Sequence, residues 1–155
     1  MELIDGALVL RPPQTGFHML ALRLFEGLLD PPRELAVLRE MTVTLGVRQR
    51  PEADILLAKR AALAPGTTTL QPGDVHLVAE VASEESLERD RITKPLKYAG
   101  GGITHYWRVE QDGDQPVVYT FELEPALGAY VPTGIHRKRL RTAIGFDVDI
   151  DLHLE

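Results

Sequence analysis

Residues 74–83 read DVHLVAEVAS, an apolar run rich in β-branched residues with a single carboxylate, Glu80, inside it. Side chains alternate between the faces of a strand, so Val78, Glu80 and Ala82 share one side while Leu77, Ala79 and Val81 share the other. Both sides read as buried. An ionised carboxylate removed from water without a partner is costly, so Glu80 must be protonated, salt-bridged or bound to a cation.

A second run, PEADILLA at residues 51–58, repeats the feature: Asp54 stands at its start on the face of Leu56, with Glu52 before it on the same face. If neighbouring strands bring these acids within about 4 Å, their repulsion raises a pKa unless a divalent cation neutralises them, and oxygen-only ligands suit Mg²⁺ or Mn²⁺. A structural ion pair with a core-facing Arg or Lys satisfies the same groups. Residue physics leaves both readings open.

The chain of 155 residues is expected to form one domain, residues 1–155. Its formal net charge of −6 argues against gripping nucleic acid by bulk charge, although a local basic patch can still do so. The absence of cysteine removes disulfides, thiolate metal sites and cysteine nucleophiles. An acidic N-terminus and the lack of an apolar run near the ~20 residues of a membrane span point to a cytoplasmic protein without membrane contact.

MELIDGALVLRPP predicts an N-terminal hairpin turning at Asp5-Gly6. Phe17, Leu20, Ala21, Leu24 and Leu28 then recur at spacings of three and four, predicting an amphipathic helix capped by Thr15 and stopped at Pro31-Pro32. Three strands follow, in REMTVTLGV, PEADILLA and DVHLVAEVA; the Gly-, Pro- and Thr-rich segment between the last two reads as a loop able to close over a site. SLERDRITKPLKYAGGG reads as a helix that Pro95 kinks or delays and the glycines end. Strands are expected in THYWRVE, PVVYTFEL and GFDVDIDL, with a turn at Asp112-Gly113. The order predicts an α/β (α+β) fold on a mixed central sheet flanked by helices, with an N-terminal hairpin and extra C-terminal strands.

Over about its first 110 residues the chain resembles the Uma family of bacterial proteins, described as restriction endonucleases. The most specific matches are Glu80-Val81-x-Ser83, Asp90, Lys94, Tyr98, Gly102 and Tyr106-Trp107. That family is similar to the PD-(D/E)XK nucleases, so the resemblance implies a restriction-endonuclease-like fold and Mg²⁺-dependent (or Mn²⁺-dependent) hydrolysis of DNA phosphodiesters. It implies that Asp54 and Glu80 hold the metal, with the backbone carbonyl of Val81 as a third ligand. Ala82 stands where the E-x-K lysine would be, and the resemblance transfers that role to Lys94, with Lys97 as fallback.

His18, at the start of the first helix, is a further candidate near the cleft. Ser83 reads as a helix cap in SEES, and Tyr98, Tyr106 and Trp107 as core rather than base-stacking residues. The basic run at 136–141 offers Arg137, Lys138, Arg139 and Arg141 to a DNA backbone, against the alternative of a solvated edge. A homodimer is compatible with duplex cleavage. Two other functions fit the same residues: a catalytically silent binding or regulatory module on the nuclease fold, and a hydrolase of another phosphodiester.

Overall fold

The computed structural model describes residues 1–155. Strands β1 (Glu2–Ile4) and β2 (Ala7–Val9) form the N-terminal hairpin, and Asp5 and Gly6 carry the positive φ angles, 51° and 82°, that its two-residue turn requires. Helix α1 (Gly16–Leu28) follows, with the Thr15 side chain accepting the His18 N–H.

Strands β3 (Leu35–Val43), β4 (Glu52–Lys59), β5 (Thr69–Leu70), β6 (Val75–Val81), β7 (His105–Asp112), β8 (Gln115–Glu124) and β9 (Ala129–Arg137) build a seven-stranded sheet in the order β5-β3-β4-β6-β7-β8-β9. Pairing is antiparallel for β3/β4, β4/β6, β7/β8 and β8/β9, and parallel for β6/β7 and β3/β5. Helix α2 (Lys94–Gly100) lies in the connection between the parallel pair β6 and β7. A second hairpin, β10 (Arg139–Ala143) with β11 (Asp147–Asp151), completes the chain. The expected mixed sheet, flanking helices, N-terminal hairpin and extra C-terminal strands are all present. No helix is long and apolar enough to cross a membrane.

Two apolar cores cover the sheet. On the first, Ala21, Leu22 and Phe25 of α1 pack with Leu57, Leu77, Ala79, Val81 and Trp107 and with Leu140, Val148 and Ile150 of the last hairpin. On the second, Tyr98 of α2 packs with Leu56, Val78, Ile103 and Tyr106. The alternation expected for β6 is kept, which leaves Glu80 on the α2 side with Val78.

Several local expectations are corrected. The inward face of α1 is His18, Ala21, Leu22 and Phe25, whereas Leu20 and Leu28 are exposed; the face is turned because His18 and Phe25 have partners in the sheet, Asp54 and Trp107. The Gly-, Pro- and Thr-rich segment does not close over a site: its residues Thr69–Leu70 add to the outer edge of β3, two strands away from β6. Strand β9 was not expected, and its Pro132 and Gly134 explain why, since both residues weaken strand patterns and are tolerated at a sheet edge.

Pro95 neither delays nor ends the helix: residues 87–88 are already helical, Arg89–Thr93 widen into a π turn in which the Lys94 N–H reaches the Arg89 carbonyl, and Pro95 follows directly in α2. The glycines end α2 in a Schellman arrangement: Ile103 N–H donates to Tyr98 O and Gly102 N–H to Ala99 O, with Gly102 at φ 81°. The helix is therefore locked at both ends in the register that turns Lys94 and Tyr98 inward.

Phe25, fully buried with its ring 6.2 Å from that of Trp107, ties α1 to the sheet. Phe25→Ala should lower unfolding free energy by about 3–5 kcal/mol through lost burial and a residual cavity. Urea unfolding followed by the fluorescence of the single tryptophan measures this directly.

Candidate active site

The sequence places an acid in each of two neighbouring strands, and the sheet sets them side by side. Asp54 of β4 and Glu80 of β6 are 1% and 0% exposed. Asp54 Oδ2 accepts the Val81 N–H at 2.7 Å, and the Asp54 N–H lies 3.4 Å from Glu80 Oε2. The β4 alternation breaks here: Ala53 packs with Leu56 in the α2-side core, and between the pairs Arg39↔Ile55 and Met41↔Ala53 the facing Glu40 has φ 54°. Regular alternation would give Asp54 the face of Leu56; its carboxylate instead meets His18 of α1.

Lys94 closes the cluster from α2. Its ammonium is 2.7 Å from Glu80 Oε1, 2.7 Å from Glu2 Oε1 and 3.1 Å from the Glu52 carbonyl, so its three donors each have an acceptor. Tyr98, one turn on, donates its hydroxyl to Glu80 Oε1 at 2.7 Å. His18 Nε2 lies 3.1 Å from Asp54 Oδ1, which also receives the Arg11 guanidinium.

Lys97 is not the alternative to Lys94. It points to the N-terminal hairpin and pairs with Asp5 at 2.6 Å, because three residues along a helix turn it about 60° away from Lys94. Val81 engages Asp54 through its N–H. Ser83 caps the following turn, but the residue that reaches back is Ser86 rather than a glutamate: Ser86 N–H donates to Ser83 Oγ and Ser83 N–H to Ser86 Oγ. Ser86 Oγ in turn donates to Asp90 at 2.6 Å.

Tyr106 and Trp107 are buried and unavailable for base stacking, and Tyr106 donates to the Asp90 carbonyl. In the basic run, Arg137 pairs with Asp112, while Arg139 and Arg141 lie 2.6 and 3.5 Å from Asp149; Lys138, at φ 62°, joins β9 to β10. Arg137 is on the edge strand β9, three strands from β6, and Arg139 and Arg141 are on the separate β10–β11 hairpin.

Three residues of the site escaped sequence reasoning. Tyr98 looked like core because its spacing is that of a buried helix face. Glu2 and Arg11 lie in an N-terminal segment whose docking is tertiary: Leu3 and Arg50 exchange backbone hydrogen bonds, and Glu2 is thereby brought to the Glu52 N–H at 2.8 Å. The available signal was an acid, Glu2, in an otherwise apolar strand of the hairpin.

Electrostatics follow from this packing. Burial opposes ionisation of Asp54, yet the His18 hydrogen bond and the charges of Arg11 and Lys94 outweigh it and hold its pKa well below the usual carboxylate range. Burial pushes Glu80 the other way, and although Lys94 opposes the shift, Asp54, Asp90 and Glu2 add to it. Burial also disfavours the Lys94 ammonium, but Glu80, Glu2, Asp90 and Asp54 together keep it charged. Asp90 is pushed up to about 6 by burial against the opposing pull of Lys94 and Ser86.

A hard dication fits this donor set in kind. Three buried carboxylates, Glu2, Asp54 and Glu80, face two fixed cations, Arg11 and Lys94, and Glu80 Oε2 has only the long 3.4 Å contact. No three His, Asp or Glu side chains are grouped as a ready metal cluster. Asp54 and Glu80 would hold the ion with main-chain or solvent oxygens completing its shell, a pattern Mg²⁺ accepts.

The mixed sheet, with an acid on each of two adjacent inner strands and a lysine from α2 beside the second, is a restriction-endonuclease-like fold. The chain belongs to the Uma2 family, described as "Putative restriction endonuclease", whose profile matches residues 1–151. The fold is similar to a crystal structure from Anabaena variabilis described as "a putative nuclease belonging to DUF820". The TM-score is 0.67 at 13% identity, covering 92% of this chain and 79% of that one. No curated protein matches the sequence.

Two stability measurements probe the cluster. Lys94→Met should cost about 3–5 kcal/mol by stranding buried acids, and adding Glu80→Gln should recover part of that loss, which a double-mutant cycle reads. Asp90 has a folded pKa of about 6 against an ordinary 3.8. The folded state therefore holds a proton that the unfolded chain releases, and the associated stability, full below about pH 4, is lost as pH rises through 6. Between pH 4 and 7 Asp90→Asn should lose about 3 kcal/mol less than the unmodified protein, from urea midpoints at both pH values.

Proposed function

We propose that the protein is a metal-dependent endonuclease that hydrolyses DNA phosphodiester bonds at the Asp54–Glu80–Lys94 cluster. The observation that carries this reading is the meeting of those three residues from β4, β6 and α2, with Lys94 Nζ 2.7 Å from Glu80 Oε1 and the Asp54 backbone N–H 3.4 Å from Glu80 Oε2. The family description and the shared fold support it.

Asp54 and Glu80, with the Val81 backbone beside them, would hold Mg²⁺ or Mn²⁺. Once bound, such an ion lowers the pKa of its water and offsets charge on the phosphate. Lys94 supplies a compact cation to orient the attacking water or to stabilise charge on the phosphoryl oxygens. Its attachment to Glu2 as well as Glu80 fixes where that cation stands. His18 and Tyr98 are positioning residues: each holds one carboxylate oxygen and is itself enclosed by packing.

A catalytically silent module on the same fold is the second reading, favoured by two observations. Arg11 and Lys94 already satisfy the acids, and Ala82 occupies the usual lysine position.

Duplex plasmid incubated with Mg²⁺ or Mn²⁺ separates the two. Cleavage is expected, and Asp54→Asn, Glu80→Gln and Lys94→Met should each reduce its rate by at least about 10²-fold. Near-normal cleavage by Asp54→Asn or Glu80→Gln would refute the assignment. A metal ion at 100 times its dissociation constant should add about 2.7 kcal/mol of stability, and no gain with Mn²⁺ would favour the silent module.

A further inference from the structure

Arg11 is the one cation at the cluster to which the hydrolytic reading gives no role. It follows β2 and precedes Pro12-Pro13, and its guanidinium bridges two acids: Nη2 donates to Asp54 Oδ1 and Nη1 lies 3.4 Å from Glu52 Oε1. The two cations that satisfy the buried acids differ in access. The Lys94 side chain is 2% exposed, whereas that of Arg11 is 19% exposed although its partner Asp54 is 1% exposed. Arg11 also lines a small polar crevice with Gln14, Ser83, Glu85 and Arg89, at whose base lie Glu2 and Lys94.

The hydrogen bonds of Asp54 make Arg11 and a metal ion alternatives. Oδ2 is held by the Val81 N–H, and Oδ1 takes both His18 and Arg11. While the guanidinium is in place, both acceptor sites of Oδ1 are engaged and Oδ2 keeps one beside the Val81 N–H. A divalent ion and the guanidinium cannot both sit at contact distance on Oδ1, since their like charges repel at that separation. Burial of Asp54 nevertheless requires one of them.

We propose that Arg11 is an exchangeable counter-ion, which holds Asp54 when no metal is bound and turns outward along the crevice when a divalent cation takes its place, so that Arg11 sets the metal affinity of the site. The inference rests on the metal-dependent reading above. Exchange replaces one positive charge by two beside Glu2, Asp54 and Glu80, of which Lys94 offsets one negative charge throughout. The prolines after Arg11 restrict the backbone, so the exchange is a movement of the side chain. Glu85, held by Arg89, lines the same crevice and is close enough to feel the Arg11 charge.

Calorimetric titration with MnCl₂ of the full chain and of Arg11→Met tests the exchange. Arg11→Met should bind Mn²⁺ at least tenfold more tightly and, without metal, melt at a lower temperature. Binding to both proteins with equal or weaker affinity in Arg11→Met overturns the exchange and leaves the metal site standing. Absence of binding in both overturns the exchange together with the metal-dependent reading. Should Arg11→Met fail to fold, the Arg11 Nε–H resonance of the unsubstituted protein, assigned by its loss in Arg11→Lys, is followed during MgCl₂ titration. It should shift in step with the metal-induced rise in melting temperature, and a signal unmoved at saturation overturns the proposal.

Discussion

The Lys94 ammonium, enclosed between Glu80 and Glu2, is the interaction on which the rest of the site depends. A buried cation survives only when several acceptors replace its water, and those acceptors come from three parts of the chain: β6, the N-terminal hairpin and the backbone of Glu52. Satisfying one side chain therefore fixes the relation of α2 to the sheet and draws the hairpin over the start of β4. The π turn before α2 and the Schellman arrangement after it serve the same end, because a slip of the helix by one residue would exchange Lys94 for its half-buried neighbours Thr93 or Pro95.

The apolar surroundings give the charges their leverage. Val78, Tyr98 and Tyr106 on one side, and Val81 with the α1 core on the other, exclude water from Asp54 and Glu80. In that environment the two acids diverge. Asp54, bonded by His18 and Arg11, is held ionised, while Glu80, buried among other acids, is pushed up. The divergence arises from what each carboxylate touches, since both stand on inner strands at similar depth. A site of this kind keeps its acids paired with cations rather than bare.

Much of this was legible in residue pattern. The hairpin at Asp5-Gly6, the Thr15 cap and the two acid-bearing strands follow from turn chemistry, capping and the two-residue period of a strand, all local properties. The inward face of α1 was misplaced by one position because hydrophobicity alone ranked Leu20 and Leu28 above His18, whose burial depends on a partner 36 residues away. Strand β9 was missed because Pro132 and Gly134 break the pattern, and an edge position tolerates them.

The amino-acid sequence by itself determined that Glu80 and Asp54 would be costly to bury and so would need partners, because side-chain alternation and desolvation depend only on neighbours along the strand. Which partners they took was decided by tertiary structure. Glu2, Arg11, His18 and Tyr98 converge on the acids from four separate segments, and no spacing relates them. The choice of Lys94 over Lys97 also needed the fold: three residues apart in one helix, they are separated by which one faces the sheet, and only packing sets that rotation.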